Sequence, residues 1–526
     1  MRILRSLLGI LTLGVLPILP AQPAVPEAPV APAQPVAQTS ARPAPRLQTE
    51  LCVSCHGVNW EGGRAPSMVD DVWAHGGSDE DLAKSIRDGW VANAMPPFGT
   101  VLSNLEIRAL IVQIRYAARD KAKREPAPPP PELDGKIIKS ELQTFKIEVV
   151  TKDVRTPWGI AFLPDGRFIV SERGSRKRLD APNAAGLRFQ DEADLKIVDP
   201  SRGVVETITG LPTPWVQQDG GLFDVAVHPN YAQNGWVYIS FSEMGPVPPG
   251  TPQNLLPSAT RIVRGRIRDG KFVDQQDIFK AAPEFFWVSS THYGSRFLFD
   301  RAGFLYFSIG ERGRQDGAQS LASPYGKLHR VKDDGSIPAD NPFVNTPGAV
   351  KSIWSYGHRN QQGLAQHPVT GEIWATEHGP HGGDELNLIQ RGHNYGWPVI
   401  TYGVNDNGTA ITDLTAKEGM DQPVTYWTPS PAVSAIEFYT GNKFPKWKNQ
   451  LFMAALVLEE FHRLEVNDKN QVVHDEVLFR GFGRVREVVT GPDGFLYVTL
   501  NSQFGDSPGQ IIRLVPVPVE TPAKFF

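Results

Sequence analysis

Between residues 103 and 118 the apolar side chains return at steps of three and four, the spacing that places them on one face of an α-helix. Ser103 and Glu106 precede this stripe at the spacing of a capping box, and Ser78 and Asp81 repeat the device before a segment that stops at Gly89. The pattern predicts a small all-α unit. Its longest helix would bury the stripe Ile107, Leu110, Ile111, Ile114 and Ala118.

From about residue 150 onwards a different pattern recurs, in which a turn with Gly or Asn precedes an apolar, often aromatic strand. Gly166, Gly235, Gly303 and Gly371 mark four copies at separations of 69, 68 and 68 residues, and FPKWKNQLFMAAL and GPDGFLYVTLN bring the number to six. Small antiparallel sheets of this kind bury their faces against neighbours, and closing them into a ring protects their edges. We therefore predict an all-β six-bladed β-propeller preceded by a small all-α domain, with a β-sandwich as the alternative.

A basic, apolar N-terminus and two proline-rich stretches divide the chain. The apolar run to Leu19 is shorter than the roughly 20 residues that span a bilayer and contains Pro17, so residues 1–24 are predicted to be a signal peptide rather than a membrane anchor. Four further segments are predicted: a Pro/Ala-rich linker at 25–47, the helical domain at 48–124, a Pro-rich linker at 125–133 and the propeller at 134–526. We expect a periplasmic or secreted protein with no transmembrane segment after cleavage.

The composition narrows the possible partners. With 53 Lys and Arg against 57 Asp and Glu, the net charge of −4 indicates no nucleic-acid partner. The 49 Gly and 46 Pro are too many turn formers for a helical bundle and favour a turn-rich β architecture. The oligomeric state is left open.

The two cysteines stand together in the string CVSCH, as Cys52 and Cys55 followed by His56. This spacing suits covalent haem c, because two thiols reach the two vinyl groups while the adjacent imidazole ligates iron. Met95, in AMPPFG, is the predicted second axial ligand, and Met68 is the alternative. A zinc or redox pair is disfavoured because the chain has no further cysteines. With its CxxCH, its MPxFG string and its closing helix, the segment from residue 47 to about 123 resembles a class I cytochrome c domain.

Polar strings that the blades do not repeat are the better candidates for chemistry. The densest lies between residues 356 and 402, with YGHRNQQGLAQHP followed by ATEHGPHGGDELNLIQRGHNYGWPVITYG. A Gly-Pro turn with Asp384 and Glu385 close behind offers the hard oxygen ligands that calcium prefers. Simple turns with a solvated acidic pair are the alternative.

Over nearly all of residues 150–515 the large unit resembles the soluble, pyrroloquinoline-quinone (PQQ)-dependent glucose and aldose-sugar dehydrogenases. The resemblance rests on strings that include TPWGIAFLPDG, GGLFDVAVHPNY, HYGSRFLFDRAGFLYFSIGERG, GKLHRVKDDGSIPADNPF, GHRNxQGLA, GPxGGDELNLI, NYGWP and GRVREVVTGPDGFLYV. It implies PQQ and Ca²⁺ as cofactors besides haem c.

The same resemblance implies roles for individual residues. His292 corresponds to the general base that takes the proton of the sugar's anomeric hydroxyl. Arg314 and Gln315 match the groups at the quinone oxygens, and Arg484 and Arg486 match the arginines at the cofactor's carboxylates and face.

Further roles concern calcium and the cofactor's surroundings. The carbonyl groups of Gly379 and Pro380 would hold the calcium that bridges to the quinone, and Trp427 would form an aromatic wall. A second, structural calcium would use Asp384 or Glu385 with the region of Tyr395 and with Asn405.

Two positions depart from the glucose-oxidising relatives. Val457 stands where they place a lysine that pairs with a cofactor carboxylate, and Asp219 stands where they carry a glutamine. Both changes reduce the favourable contact with an anionic cofactor.

Taken together, these features predict an oxidoreductase that oxidises an aldose or related polyol and passes electrons to its own haem, and then to a soluble or membrane-bound acceptor. A calcium-dependent lactonase is one alternative, although a hydrolase has no use for haem. A non-catalytic propeller that binds sugar or protein and localises a cytochrome is the other.

Overall fold

The computed structural model describes residues 42–70, 72–124, 132–181, 183, 186–247, 251–252, 256–502 and 507–517. The predicted signal peptide at 1–24, most of the linker at 25–47 and most of the linker at 125–133 lie outside the described residues. No helix among the described residues is long and apolar enough to cross a membrane.

The N-terminal part is helical, as predicted. A π-helical turn at Gln48–Cys52 separates the first two helices, and the helices are α1 (Ala44–Leu47), α2 (Val53–His56), α3 (Asp79–Asp88) and α4 (Asn104–Arg124). Both predicted capping boxes form: Ser78 accepts from the Asp81 main-chain N–H, and Ser103 N donates to Glu106 Oε2 at 3.0 Å. The predicted stripe lies on the inner face of α4, where Leu110 and Ile114 are buried.

The helical domain starts earlier than residue 48. Ala44 and Leu47 are fully buried in its core, and Arg42 Nε donates to Glu106 Oε1 at 2.7 Å. The predicted linker therefore ends before residue 42, because a segment that buries apolar side chains is part of a domain. At the other boundary Leu133, placed in the second linker, is buried in the core of the last blade.

The remainder is the predicted propeller, with six sheets of four or five antiparallel strands. From the centre outwards, the strands of the first three blades are β3 (Pro157–Phe162), β4 (Phe168–Glu172), β7 (Leu195–Asp199) and β8 (Gly203–Ile208); β9 (Leu222–Val227), β10 (Trp236–Met244), β11 (Ser258–Arg268) and β12 (Lys271–Lys280); β13 (Phe297–Phe299), β14 (Leu305–Ile309), β15 (Lys327–Val331) and β16 (Ile353–Tyr356).

The fourth and fifth blades follow the same plan. Their strands are β17 (Gln361–Gln366), β18 (Ile373–Glu377), β19 (Asp384–Ile389) and β20 (Thr425–Trp427); β21 (Val433–Phe438), β22 (Leu451–Ala455), β23 (Glu460–Val466) and β24 (Val472–Arg480). A short hairpin of β5 (Ser175–Arg178) and β6 (Phe189–Glu192) is inserted in the first blade, and α5 (Tyr231–Asn234) in the second.

The sixth blade closes the ring by joining both ends of the propeller segment. It comprises β25 (Arg484–Thr490), β26 (Leu496–Asn501) and β27 (Pro508–Pro516), with β2 (Thr144–Arg155) paired to β27 and β1 (Ile137–Lys139) outside β2. Because main-chain hydrogen bonds join the first and last strands, no blade edge is left open at the closure. A cavity of about 300 Å³ lies among the innermost strands.

The repeated glycines have a structural cause. Gly166, Gly235, Gly303 and Gly371 all have positive φ, between +66° and +89°, and each lies between the first and second strands of its blade. Glycine adopts this conformation without strain, so it recurs wherever the turn recurs. In the fifth blade Asn449, at φ +62°, takes the equivalent place.

Candidate active site

The loops at one end of the third blade hold a histidine and a carboxylate in contact. His292 lies before β13 and Glu311 follows β14, and His292 Nδ1 is 2.6 Å from Glu311 Oε1. The main-chain N–H of His292 donates to Asp219 Oδ2 at 3.2 Å. The side chain of Glu311 is only 2% exposed, whereas that of His292 is 19% exposed. The carboxylate therefore holds Nδ1 while the opposite edge of the imidazole is free to meet a substrate.

Four guanidinium groups from three blades gather close to this pair. Arg484 and Arg486 lie on the innermost strand of the sixth blade, as the alternation of strand residues predicts. The pKa of Arg486 is lowered to about 9 by burial and by the nearby charges of Arg484, Arg296 and Arg173. Such crowding of like charges costs free energy that an anion bound at Arg484 and Arg486 would recover, whereas Arg296 is already paired with Glu487 and Asp224. A cofactor with several carboxylates fits this set.

A short loop after β18 completes the site. His378 precedes Gly379 and Pro380, and its pKa is lowered well below the usual value by burial and by the charges of Arg486, Arg359 and His292. These three charged groups therefore lie near it. Arg359 Nη1 donates to the His378 carbonyl at 3.2 Å, which fixes the start of the loop.

Buried polar atoms at this place lack partners within the described part of the chain. They are Glu311 Oε2, Arg312 Nη1 and His378 Nε2. Buried polar groups are normally hydrogen-bonded, so three such atoms in adjoining loops indicate room for a polar ligand. With the cluster of arginines, they fit a quinone that carries carboxylates and carbonyl oxygens.

Two of the residues predicted at the cofactor are solvent-exposed, and the third lies on an outer strand of its blade. Arg314 and Gln315 are exposed after β14, with the Arg314 guanidinium carbon 4.3 Å from the centre of the Trp287 ring. Trp427 lies on the outermost strand of the fourth blade, and its Nε1 donates to Asp475 Oδ2 at 3.2 Å on the outermost strand of the fifth. Trp427 is therefore away from the inner strands, although its carbonyl accepts from Gly383 N, and its role as an aromatic wall stays a prediction.

The Gly379–Pro380 turn suits a calcium ion in part. Gly379 N donates to Asp384 Oδ1 at 2.9 Å, and a Cβ at Gly379 would lie 2.2 Å from the Gly383 carbonyl oxygen, so the tight loop requires glycine. Carbonyl oxygens held in such a turn are ligands that calcium accepts. Asp384 Oδ2 accepts from Val433 N at 3.0 Å, so both oxygens of this carboxylate already brace the main chain.

The four residues expected at a second calcium do not converge. Glu385 lies opposite Glu377 on the neighbouring strand. Burial and the charge of Glu377 raise the pKa of Glu385, and a bound divalent cation would relieve the repulsion between the two carboxylates. Tyr395 stacks on His358, whose Nδ1 is 2.8 Å from Glu377 Oε2.

Asp384 points instead to Gly379, and Asn405 Nδ2 donates to Thr409 Oγ1 at 3.1 Å in another loop. Among the described residues, no three His, Cys, Asp or Glu side chains form a metal-ligating group.

The helical domain contains the predicted haem ligands. Cys52 ends the π-helical turn, His56 ends α2, and neither Cys52 nor Cys55 is in a disulfide. Burial lowers the pKa of His56, which favours the neutral imidazole that binds iron, and burial raises the pKa of Cys52 to about 11. Met95 packs against the same core, and so does Met68. The residues fit haem c, and the choice between the two methionines stays a prediction.

Four residues of the site were not identified from the sequence: Arg173, Glu311, Arg359 and His378. Arg359 and His378 lie in the non-repeated strings quoted above, which was a usable signal. Glu311 and Arg173 each follow a strand as one more charged residue, and nothing local distinguishes them.

The chain is similar to known proteins over both parts. The family model described as Glucose / Sorbosone dehydrogenase matches residues 154–513, and the model described as Cytochrome C oxidase, cbb3-type, subunit III matches residues 40–112. The aldose sugar dehydrogenase YliI of Escherichia coli is 35% identical over 378 residues, 71% of this chain and 93% of that protein.

Two solved structures are similar to this chain over 71% and 70% of its length. The apo-form of the soluble aldose sugar dehydrogenase from Escherichia coli has a TM-score of 0.61 and 35% identity, covering 71% of this chain and all of that one. The PQQ-bound aldose sugar dehydrogenase from Streptomyces coelicolor has a TM-score of 0.54 and 26% identity, covering 70% of this chain and 98% of that one.

Proposed function

Because the chain belongs to the glucose/sorbosone dehydrogenase family and carries a cytochrome c domain of the cbb3 type, we propose that it is a periplasmic aldose dehydrogenase that passes electrons to its own haem c. The contact between His292 and Glu311 beside the cluster of arginines carries this proposal. The similar proteins support the substrate class, since two of them are aldose sugar dehydrogenases.

In the proposed reaction His292 acts as the base. Glu311 accepts the hydrogen bond from Nδ1, which leaves Nε2 to take the proton from the anomeric hydroxyl of the sugar. The carbon–oxygen single bond becomes a carbonyl as hydride leaves the same carbon, so that an aldose yields a lactone, two protons and two electrons. Bound PQQ would supply the hydride acceptor.

The residues of this chain that would hold the quinone are cationic. Arg484 and Arg486 present planar guanidinium groups suited to carboxylates, with Arg173 near them. Val457 stands where the resemblance to glucose-oxidising dehydrogenases implies a lysine and contributes no charge, so the arginines bear this role. The carbonyl oxygens of Gly379 and Pro380 would hold a calcium ion at the quinone.

The haem domain supplies the electron acceptor. Cys52 and Cys55 would bind haem covalently, with His56 and Met95 as axial ligands, a pair that favours electron transfer. Because one haem takes one electron at a time, each turnover needs two successive transfers to an external one-electron acceptor. Covalent fusion keeps the two domains at an effective concentration of about millimolar.

The experiment uses the full chain with haem attached. The protein is stripped of metal, supplied with calcium, PQQ or both, and mixed with a panel of sugars while the haem absorbance is recorded. We expect haem reduction only when calcium, PQQ and an aldose are all present. Sugar-independent reduction, or none under any condition, would overturn the proposal.

A further inference from the structure

One face of α4 lies against the propeller. Arg108, Val112 and Tyr116 follow one another at steps of four, so they share this face. Arg108 Nη1 donates to the Thr401 carbonyl at 2.7 Å, and its Nη2 donates to the Asp413 carbonyl at 3.1 Å. The helix that closes the haem domain is thus held by main-chain oxygens of the segment between β19 and β20.

Tyr116 makes the closest contact on this face. Its ring stacks on the imidazole of His381, with ring centres 3.4 Å apart and planes inclined by 17°. Its hydroxyl oxygen accepts from Gly382 N at 3.0 Å and from Ser430 N at 3.3 Å. The residue is 8% exposed. Two main-chain donors and a stacked ring fix Tyr116 in position and orientation.

Tyr116 and His381 lie beside the two predicted cofactor sites, one in each domain. His381 directly follows Pro380 in the loop assigned to the quinone calcium. Tyr116 belongs to the same buried core as the residues around Cys52 and Met95, and Val404 of the propeller also packs into that core.

We propose that the stack of Tyr116 on His381 is the docking contact that holds the haem domain against the quinone loop, and that it sets the rate of internal electron transfer. Tyr116 is a positioning residue: it carries no electron in this scheme, and one electron passes at a time from the reduced quinone to ferric haem. Transfer rates fall steeply with distance, so loosening the contact slows transfer. This inference rests on the function proposed above.

The first test needs no quinone. Amide hydrogen exchange is followed in the full chain with haem attached, for unaltered protein and for Tyr116→Phe, Tyr116→Ala and His381→Ala. We expect faster exchange at residues 104–124 and 379–383 in both alanine variants. A variant that carries both alanine substitutions should show little more exchange than either single variant. Tyr116→Phe keeps the ring and should be intermediate. An unchanged haem spectrum in each variant shows that the domain is folded.

The second test separates sugar oxidation from internal transfer. Stopped-flow measurements on the loaded full chain record haem reduction, and a parallel assay records reduction of a small dye that takes electrons directly from the propeller. We expect Tyr116→Ala to slow haem reduction by about 3- to 30-fold, while dye reduction is unchanged.

Tyr238→Phe is the matched control. Tyr238 stacks on His228 and donates to the Asp333 carbonyl in the second blade, outside the contact with α4. Tyr238→Phe should change neither the rate of haem reduction nor the rate of dye reduction.

The outcomes are distinguishable. If unaltered protein reduces dye but never its own haem, the proposed function fails. If unaltered protein reduces its haem and Tyr116→Ala does so at the same rate with unchanged exchange, the docking contact is refuted while the proposed function stands.

Discussion

His292 and Glu311 face each other across two loops of the third blade, with Nδ1 and Oε1 2.6 Å apart. His292 adopts a positive φ of +52°, unusual for a residue with a side chain. The main chain is therefore held in a strained conformation at the residue proposed as the base. Strain of this kind is common at functional sites, where the surrounding structure enforces it.

Replacing Glu311 by glutamine should lower kcat by about 10²- to 10⁴-fold, because the carboxylate that orients the imidazole is lost. The KM for the sugar should change little. Steady-state dye reduction with PQQ and calcium measures both. Asp421→Asn is the control, since Asp421 Oδ2 lies 2.8 Å from Nδ1 of His393 in an exposed pair. Full activity of Glu311→Gln would contradict the assignment.

Replacing Arg486 by glutamine should stabilise the cofactor-free protein, because one of the crowded cations is removed. We expect Tm to rise by about 2–4 °C and affinity for PQQ to fall by about 30-fold or more. Calorimetry and fluorescence titration measure these. Arg513→Gln removes the partner of Glu148 on the same blade. This control should neither raise Tm nor lower the affinity for PQQ.

The same arginine predicts a pH dependence. Burial and the neighbouring guanidinium groups lower the pKa of Arg486, and a bound carboxylate would raise it again. Affinity for PQQ should therefore weaken in strongly alkaline solution, and this weakening should be smaller in Arg486→Gln.

Replacing Met95 by alanine should lower the reduction potential of the haem, because a thioether ligand opposite histidine raises it. Met68→Ala should leave the potential unchanged, although both side chains pack in the same core. Spectroelectrochemical titration of the full chain measures both. The reverse result would make Met68 the axial ligand.

His462 should make stability depend on pH. Burial lowers its pKa, but hydrogen bonds to Asp475 and Glu460 outweigh burial and raise the pKa to about 9. A raised pKa means that the contribution is complete below about pH 6.5 and is lost as the pH rises through about 9. Over that range the free energy of unfolding should fall by about 3 kcal/mol. Urea unfolding at several pH values checks this, and His462→Gln should show a shallower dependence.

Replacing Asp384 by asparagine should weaken calcium binding, because the carboxylate accepts from Gly379 N and Val433 N and so shapes the calcium loop. We expect the calcium concentration needed for half-maximal dye reduction to rise by about tenfold, a loss of about 1.4 kcal/mol. Asp165→Asn, in a turn of the first blade where Asp165 pairs with Arg167, is the control. An unchanged calcium requirement would show that the loop keeps its shape without this brace.

The sequence alone was sufficient for the fold class and the family. The period of 68 to 69 residues predicted the blades because the first four repeat the same glycine turn, and the structure confirms six. The capping boxes and the stripe on α4 were predictable because helix signals are local. CxxCH predicted the cytochrome c domain for the same reason, since the two cysteines and the histidine are neighbours in the chain.

The active site was only partly predictable, because ring closure assembles it from loops far apart in the chain. His292 was proposed from the resemblance, but its contact with Glu311 and the gathering of Arg173 with Arg486 depend on how the blades close. The sequence placed Trp427 near the cofactor, whereas its strand lies at the rim of its blade. The stack of Tyr116 on His381 joins two domains that the sequence could only separate, because packing between remote surfaces leaves no periodic signal in the chain.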